Sequence, residues 1–330
     1  MKLLLSISIA AIYGVGIRLL YSTFSALLPV MSISFFFIVP FFIGYLTILL
    51  LPYRERHTST GAFFKPWLTV SAVLLITFFC KIEGLICWVM AFPLFAILAG
   101  CGGLIAFNRK RRRAQINVQW DFDKDDWEKP GALKSSLLLF IPLFAGLLEG
   151  KNTSVFENIT VEDQIEIRAS PDAVWAALTT ASQTTILPRH STLTSLLGFP
   201  HHLGTNLDRL AIGGKRVAVY QKGLRFDETI TRLEPGNRLT LTITTDASQI
   251  SKAIMDEHIV IGGEHIQMQE DNYTLQRLPS GGTRLSLSSR FSINTPFNWY
   301  ARLWANWLMS DVISEELQSI SAHTYQIFIR

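Results

Sequence analysis

"IEIRASPDAVWAALTT", Ile165 to Thr180, changes its hydrophobic period partway along. Ile165 and Ile167 alternate with Glu166 and Arg168, the period of a strand with one buried face. Ser170 then suits a helix N-cap, Pro171 the first helical position and Asp172 the positive end of the helix dipole. Val174, Trp175 and Leu178 follow at helical spacing. The stretch predicts a strand feeding a short helix that packs back on a sheet.

The residues after it continue as a water-soluble α+β pattern. "KRVAVYQ" (Lys215–Gln221) and "LRFDETITRL" (Leu224–Leu233) predict strands flanking a turn at Lys222-Gly223, and Glu234–Asn237 predicts the next turn. "RLTLTITT" puts Leu239, Leu241 and Ile243 on one face. "EHIQMQEDNYTLQRL" predicts a long strand, Pro279–Gly282 a turn, and "TRLSLSSRFSI" an antiparallel partner with Leu285 and Leu287 inward. From Pro296 a helix of about 28 residues is predicted, with Tyr300, Leu303, Trp304, Trp307 and Leu308 as its apolar stripe, continued by Val312, Leu317 and Ile320. A curved antiparallel sheet wrapped round that helix buries it and leaves a cavity, with few ionisable residues aimed inward.

This order, with "I-x-I-x-A-S-P-D-A-V-W-x-x-L" at its start and "L-P-S-G-G-T-R-L" before its last strand, resembles the SRPBCC superfamily. That superfamily includes START lipid-transfer domains and polyketide cyclases, all with a helix-grip fold. "LLGFPHH", "DEHIVIGGEH" and "YARLWANW" are further similar to a bacterial polyketide cyclase/dehydrase-like subgroup. The resemblance covers roughly residues 155–325 and leaves the first 150 without a family. It implies a fold and no fixed catalytic set, so chemistry has to be argued from the site.

The first 150 residues differ in kind. They carry 14 Lys/Arg and 8 Asp/Glu; from chain totals of 30 and 26, the remainder holds 16 and 18. The excess of base therefore belongs to the apolar half, which argues against a nucleic-acid-binding patch on the folded domain. A bilayer core takes about 20 apolar residues in helical form. Leu3–Leu20, with Arg18 snorkelling at its end, Ala26–Leu51, Pro66–Cys80 and Gly84–Phe107 predict four spans. Lys81-Ile82-Glu83-Gly84 is either a hairpin at one membrane face or a re-entrant bend with a buried Lys–Glu pair. "RKRRR", Arg109–Arg113, reads as a positive-inside signal after the fourth span. Ser135–Leu148 is either a short fifth crossing, which would carry the C-terminal domain across, or an interfacial segment. The three cysteines, Cys80, Cys87 and Cys101, all lie in apolar segments and read as packing residues.

Two domains are thus predicted: 1–150, a transmembrane bundle of four to five spans, and 151–330, the helix-grip domain. Glu228 falls on the apolar face of its strand and needs a partner, for which Arg216 is available; the pair is either structural or a clamp for a polar ligand head. Tyr220 is a further pocket liner, and Tyr300, Trp304 and Trp307 are either core or ligand contacts. In "DEHIVIGGEH", Asp256, His258, Glu264 and His265 alternate so that they do not converge as metal ligands; His258 remains an acid/base or ligand-contact candidate beside Glu228. His190, His201 and His202 lack ligand spacing. No metal and no cofactor are expected.

The expected function is membrane-anchored binding, or transport, of a hydrophobic or amphipathic small molecule or lipid. The alternatives are a cyclase/dehydratase acting on a polyketide-like or aromatic substrate through Glu228 and His258, and a ligand-free regulatory module. Membrane lipids and a hydrophobic ligand are the expected partners, with no nucleic acid. The expected location is a bacterial inner membrane, with a cytoplasmic N-terminus and an extracytoplasmic C-terminal domain.

Overall fold

A computed structural model of the chain describes residues 2–51, 58–119, 139–149, 155–180, 182–183, 194, 197–245 and 260–329. The chain divides into two compact units, Met1–Ser154 and Val155–Arg330.

The first unit is helical: α1 (Lys2–Thr23), a π-turn (Ser34–Ile38) leading into α2 (Val39–Leu49), α3 (Ser59–Phe79), α4 (Leu85–Gln119) and α5 (Ile141–Glu149). Among the described residues, three helices are long and apolar enough to cross a membrane, at Lys2–Thr23, Ser59–Phe79 and Leu85–Arg112. The segment expected to span at Ala26–Leu51 begins with turns and continues as a π-turn and α2, one apolar helix over Ser34–Leu49 that is shorter than those three. Of the segment expected as a fifth crossing, 135–138 lie outside the described residues, and α5 itself rises about 14 Å, half of a hydrocarbon core. It is held into this unit: the Tyr21 hydroxyl donates to the Pro142 carbonyl at 2.7 Å, and Glu149 accepts the Ile33 and Ser34 amides at 2.6 and 2.9 Å.

Close backbone approach joins α2 to α4. A Cβ on Gly44 would collide with the Ala99 carbonyl, and one on Gly102 with that of Phe41, the small-residue contact that lipid-embedded helices favour. Arg18 does not snorkel. It is 3% exposed and pairs with Glu83 at 2.6 Å, over the Phe35 ring. Lys81 takes a left-handed φ of 57° in the turn between α3 and α4, so the loop is a hairpin whose acid answers Arg18 rather than Lys81. α4 continues through the basic run, which follows its apolar part. Arg109 donates to the Tyr45 hydroxyl and Lys110 to the Ile48 and Leu51 carbonyls, satisfying the open end of α2.

The second unit is one antiparallel sheet of eight strands in the order β1-β8-β7-β6-β5-β4-β3-β2. The strands are β1 (Val155–Ile167), β2 (Ser182–Gln183), β3 (His202–Leu207), β4 (Lys215–Tyr220), β5 (Arg225–Glu234), β6 (Arg238–Thr244), β7 (Ile266–Arg277) and β8 (Thr283–Thr295). α6 (Pro171–Thr179) follows β1 and α7 (Asn298–Ile329) follows β8. Ser170 caps α6 by accepting the Ala173 amide. Lys222, Gly223, Gly236 and Gly281 take the positive φ that the three turns require. Bulges at Thr231 of β5 and Gln269 of β7 bend the sheet.

The core lies between the concave sheet and the two helices. It joins Ile167, Val174 and Leu178 to Ile230, Leu239, Leu241, Tyr273, Leu285 and Leu287, and to Ile313 and Leu317 of α7. Beyond it, Ala301, Ala305 and Met309 pack on Ile159, Phe291 and Ile293. The first half of α7 is therefore rotated from the expected stripe: small residues face the sheet, and Leu303 and Trp307 are 61% and 50% exposed. A helix bearing Ala at the sheet sits closer to it than one bearing Trp, which explains the preference.

Leu317→Ala is expected to cost the second unit ~2–5 kcal/mol, and Leu303→Ala less than ~0.5 kcal/mol. Urea unfolding of both variants, followed by near-ultraviolet circular dichroism, checks the rotation.

Candidate functional site

A buried polar cluster occupies the concave side of the sheet where an apolar cavity was expected. Its centre is Arg216 on β4, 5% exposed. Arg216 Nε lies 2.6 Å from Glu228 Oε2 on β5, and NH2 lies 3.3 Å from Glu316 Oε1 on α7. Glu316 also accepts the Tyr273 hydroxyl at 2.7 Å, and the guanidinium stands over the Tyr273 ring, 5.6 Å from its centre. Asp271, two residues before Tyr273 on the same inward face, accepts the Ser289 hydroxyl. Tyr220 stacks edge-on against His202 and Phe226, each at 5.1 Å.

Charge decides the protonation pattern. One guanidinium faces three carboxylates, so full ionisation would leave excess negative charge in a medium that solvates it poorly. Burial pushes Glu228 up to about 8, against the pull of Arg216. Burial likewise raises Asp271 to about 7, opposed by its bond from Ser289. Glu316 moves down: burial acts upward, but His202, Arg216 and the Tyr273 hydroxyl together outweigh it. The ion pair at Glu228 is tight, yet Arg216 is shared with a better-supported acid, so the upward direction holds for Glu228. Burial also raises the Tyr220 and Tyr273 hydroxyls, which act as donors at neutral pH.

Beside the cluster, a cleft between α6 and the sheet is lined by Leu178, Thr205, Leu207, Ile230, Leu241 and Arg216, with Leu210 among the residues around it. Its internal volume is about 10 Å³, enough for roughly one water. The structure thus brings Arg216, Tyr220 and Glu228 together. It does not add Tyr300, Trp304 or Trp307: Trp307 is half exposed and stands nine residues before Glu316, about 13 Å along α7. His190, Asp256 and His258 lie outside the described residues. His265 is bonded to the Asn294 carbonyl at 3.0 Å, and His201 lies 3.9 Å from Glu315.

Sequence reasoning missed Asp271, Tyr273 and Glu316, and with them the ionisable character of the interior. The bulge at Gln269 shifts the phase of β7, so that Asp271, Tyr273 and Leu275 point inward while Met268 does so on the other side of the bulge. Glu316 was legible in principle, being four residues from both Val312 and Ile320.

The linkage has a definite sign. Glu228 and Asp271 have folded pKa values raised above 4.5 and 3.8, so their contribution to stability is greatest at low pH and is lost as pH rises towards 7 and 8. Glu316 acts oppositely, but only as pH falls below its ordinary 4.5. The second unit is expected to melt at lower temperature as pH rises from about 5 to 8, and Glu228→Gln to flatten the upper part of that profile. Thermal melts of both proteins across this range check it.

A family model described as polyketide cyclase / dehydrase and lipid transport matches residues 158–324. Comparison with curated proteins finds no match. Among solved structures, an aromatase/cyclase from a Streptomyces species is 13% identical, covering 52% of this chain and 95% of its own, at a TM-score of 0.33. A truncated norcoclaurine synthase from Thalictrum flavum is 10% identical over 50% and 92%, and a Nitrosomonas europaea protein 16% identical over 52% and 97%, both at a TM-score of 0.32. By the extent of the family match, carried on the sheet and helices that enclose the Arg216 cluster, the chain belongs to the polyketide cyclase / dehydrase and lipid transport family.

Proposed function

We propose that the second unit binds an amphipathic small molecule whose polar group is neutral or cationic, and that the first unit anchors it in a membrane. One observation carries the ligand reading: the cleft wall is apolar except for threonines and Arg216, the sole charged side chain in its lining. With room for about one water the cleft must widen to admit a ligand, whose apolar part would then lie on Leu178, Leu207 and Leu241 and whose polar group would meet the donors around Arg216. Glu228 and Glu316 already hold that guanidinium, so a carboxylate or phosphate head would have to displace an acid that is in place. A carbonyl or hydroxyl suits it. Fixing such a domain beside a bilayer raises the effective concentration of a membrane-derived ligand.

The bonds of α5 bear on sidedness. Glu149 accepts the amides of Ile33 and Ser34 at the start of the π-turn that leads into α2, whereas Arg109 and Lys110 donate to Tyr45, Ile48 and Leu51 at the end of α2. The second unit is therefore proposed to leave the bundle on the face opposite Arg109–Arg113, the extracytoplasmic one by the positive-inside rule. Protease digestion of sealed vesicles tests this: cleavage of the second unit only in inside-out vesicles would overturn it.

A cyclase/dehydratase reading has one observation in its favour. Glu228 keeps a proton near neutral pH next to a guanidinium, the state a general acid needs. It predicts that Glu228→Gln abolishes turnover while leaving binding intact.

For the binding reading, the full chain in nanodiscs is expected to melt higher with a monoacylglycerol than with the fatty acid of the same chain length. Leu210→Trp, at an exposed position beside the cleft, is expected to remove that shift by blocking entry, with the unliganded melting temperature unchanged. A larger shift with the fatty acid, or an equal shift in Leu210→Trp, would overturn it.

A further inference from the structure

The outer face of the first half of α7 is apolar, aromatic and largely exposed. Leu303 and Trp307 are 61% and 50% exposed, and Trp299, one turn before Leu303, is 58% exposed. These positions are four residues apart and share one face of the helix. The opposite face is fully used, with Ala301, Ala305 and Met309 on the sheet, so the aromatic face is not a core side turned outward by chance. The charge on the adjoining turn is Arg302, paired with Glu157 at 3.2 Å yet still half exposed.

This face lies at the end of the unit where the chain enters. Asn298 donates to the Val155 carbonyl at 2.7 Å, which fixes the first turn of α7 beside the first residue of β1. Upstream, Leu147 and Leu148 at the end of α5 are 52% and 89% exposed. Only "GKNTS", residues 150–154, separates Glu149 from Val155. Fully extended, that connection reaches about 20 Å. Chain connectivity alone therefore holds Val155, the residue beside the first turn of α7, to within about 20 Å of Glu149.

We infer that Trp299, Leu303 and Trp307 seat the second unit in the headgroup region of the bilayer that holds the first unit. The chemistry fits: Trp is favoured at membrane–water boundaries because its ring is apolar with one polar edge, Leu303 supplies insertion, and Arg302 suits anionic headgroups. The inference rests on the first unit being membrane-embedded. It goes beyond anchoring, because it fixes which surface of the second unit meets lipid.

The test uses the full chain in nanodiscs of phosphatidylethanolamine and phosphatidylglycerol doped with a lipid carrying a diazirine near its headgroup, with labelled residues mapped by mass spectrometry. Labelling is expected on residues 299–307 as well as on α1, α3 and α4. Leu303→Glu/Trp307→Glu is expected to cut labelling of 299–307 by more than about fivefold, with the melting temperature of the second unit unchanged, since both positions are exposed. Label on the N-terminal helices but not on 299–307 would overturn the docking face and leave the membrane reading standing. Label on neither would overturn both. Absence of label with protection of Trp307 from hydroxyl-radical oxidation would show instead that another part of the chain covers the face, and would also overturn it.

Discussion

The second unit depends on the neutralisation of Arg216. A guanidinium with 5% exposure cannot be held without acceptors, and β5 and α7 each bring a carboxylate to it. Because the acids come from the sheet and the helix, the ion cluster ties the two layers together at one register. It also over-supplies negative charge, and burial raises Glu228 and Asp271 towards their protonated forms. Replacing such a cluster with well-packed apolar side chains would in general cost nothing or add stability. Its presence beside a cleft is therefore better explained by a demand for donors and acceptors there than by the needs of folding.

Much of this fold was legible in the sequence. Alternation marked β4 to β8, and Ser170-Pro171-Asp172 marked the start of α6, because caps and alternation are local properties. The Arg216–Glu228 pair was legible for the same reason: each residue falls on the inward side of its own strand, and the strands are neighbours. What failed was phase. A single extra residue at Gln269 reversed the facing of the rest of β7 and hid Asp271 and Tyr273, since nothing local announces a bulge. In α7, the large apolar residues were assigned to the core on hydrophobicity, whereas the sheet selects the small side at Ala301 and Ala305 for close approach.

In the first unit, hydropathy located the apolar segments but not their breaks. Ala26–Leu51 is apolar throughout, yet Pro29, Ser32 and Ser34 divide it, and the Ser32 and Ser34 hydroxyls bond each other and Tyr21. Composition cannot distinguish a segment that is apolar because it spans from one that is apolar because it is packed. Arg18 shows the same limit. Its position near a helix end suggests snorkelling, while a partner 65 residues away, Glu83, makes burial affordable.

α7 connects the separate features of the second unit. Its first half presents Trp299, Leu303 and Trp307 outward and Ala301 and Ala305 to the sheet. Its second half carries Glu316 to Arg216 and packs Ile313 and Leu317 into the core. An unbroken helix of 32 residues is stiff over the distance between Trp307 and Glu316, so a shift of one end along the sheet must displace the other. A bilayer that holds the aromatic face would thereby also hold the carboxylate that satisfies Arg216. That coupling gives a physical reason for one helix to bear both surfaces, and it follows from geometry that does not depend on which ligand occupies the cleft.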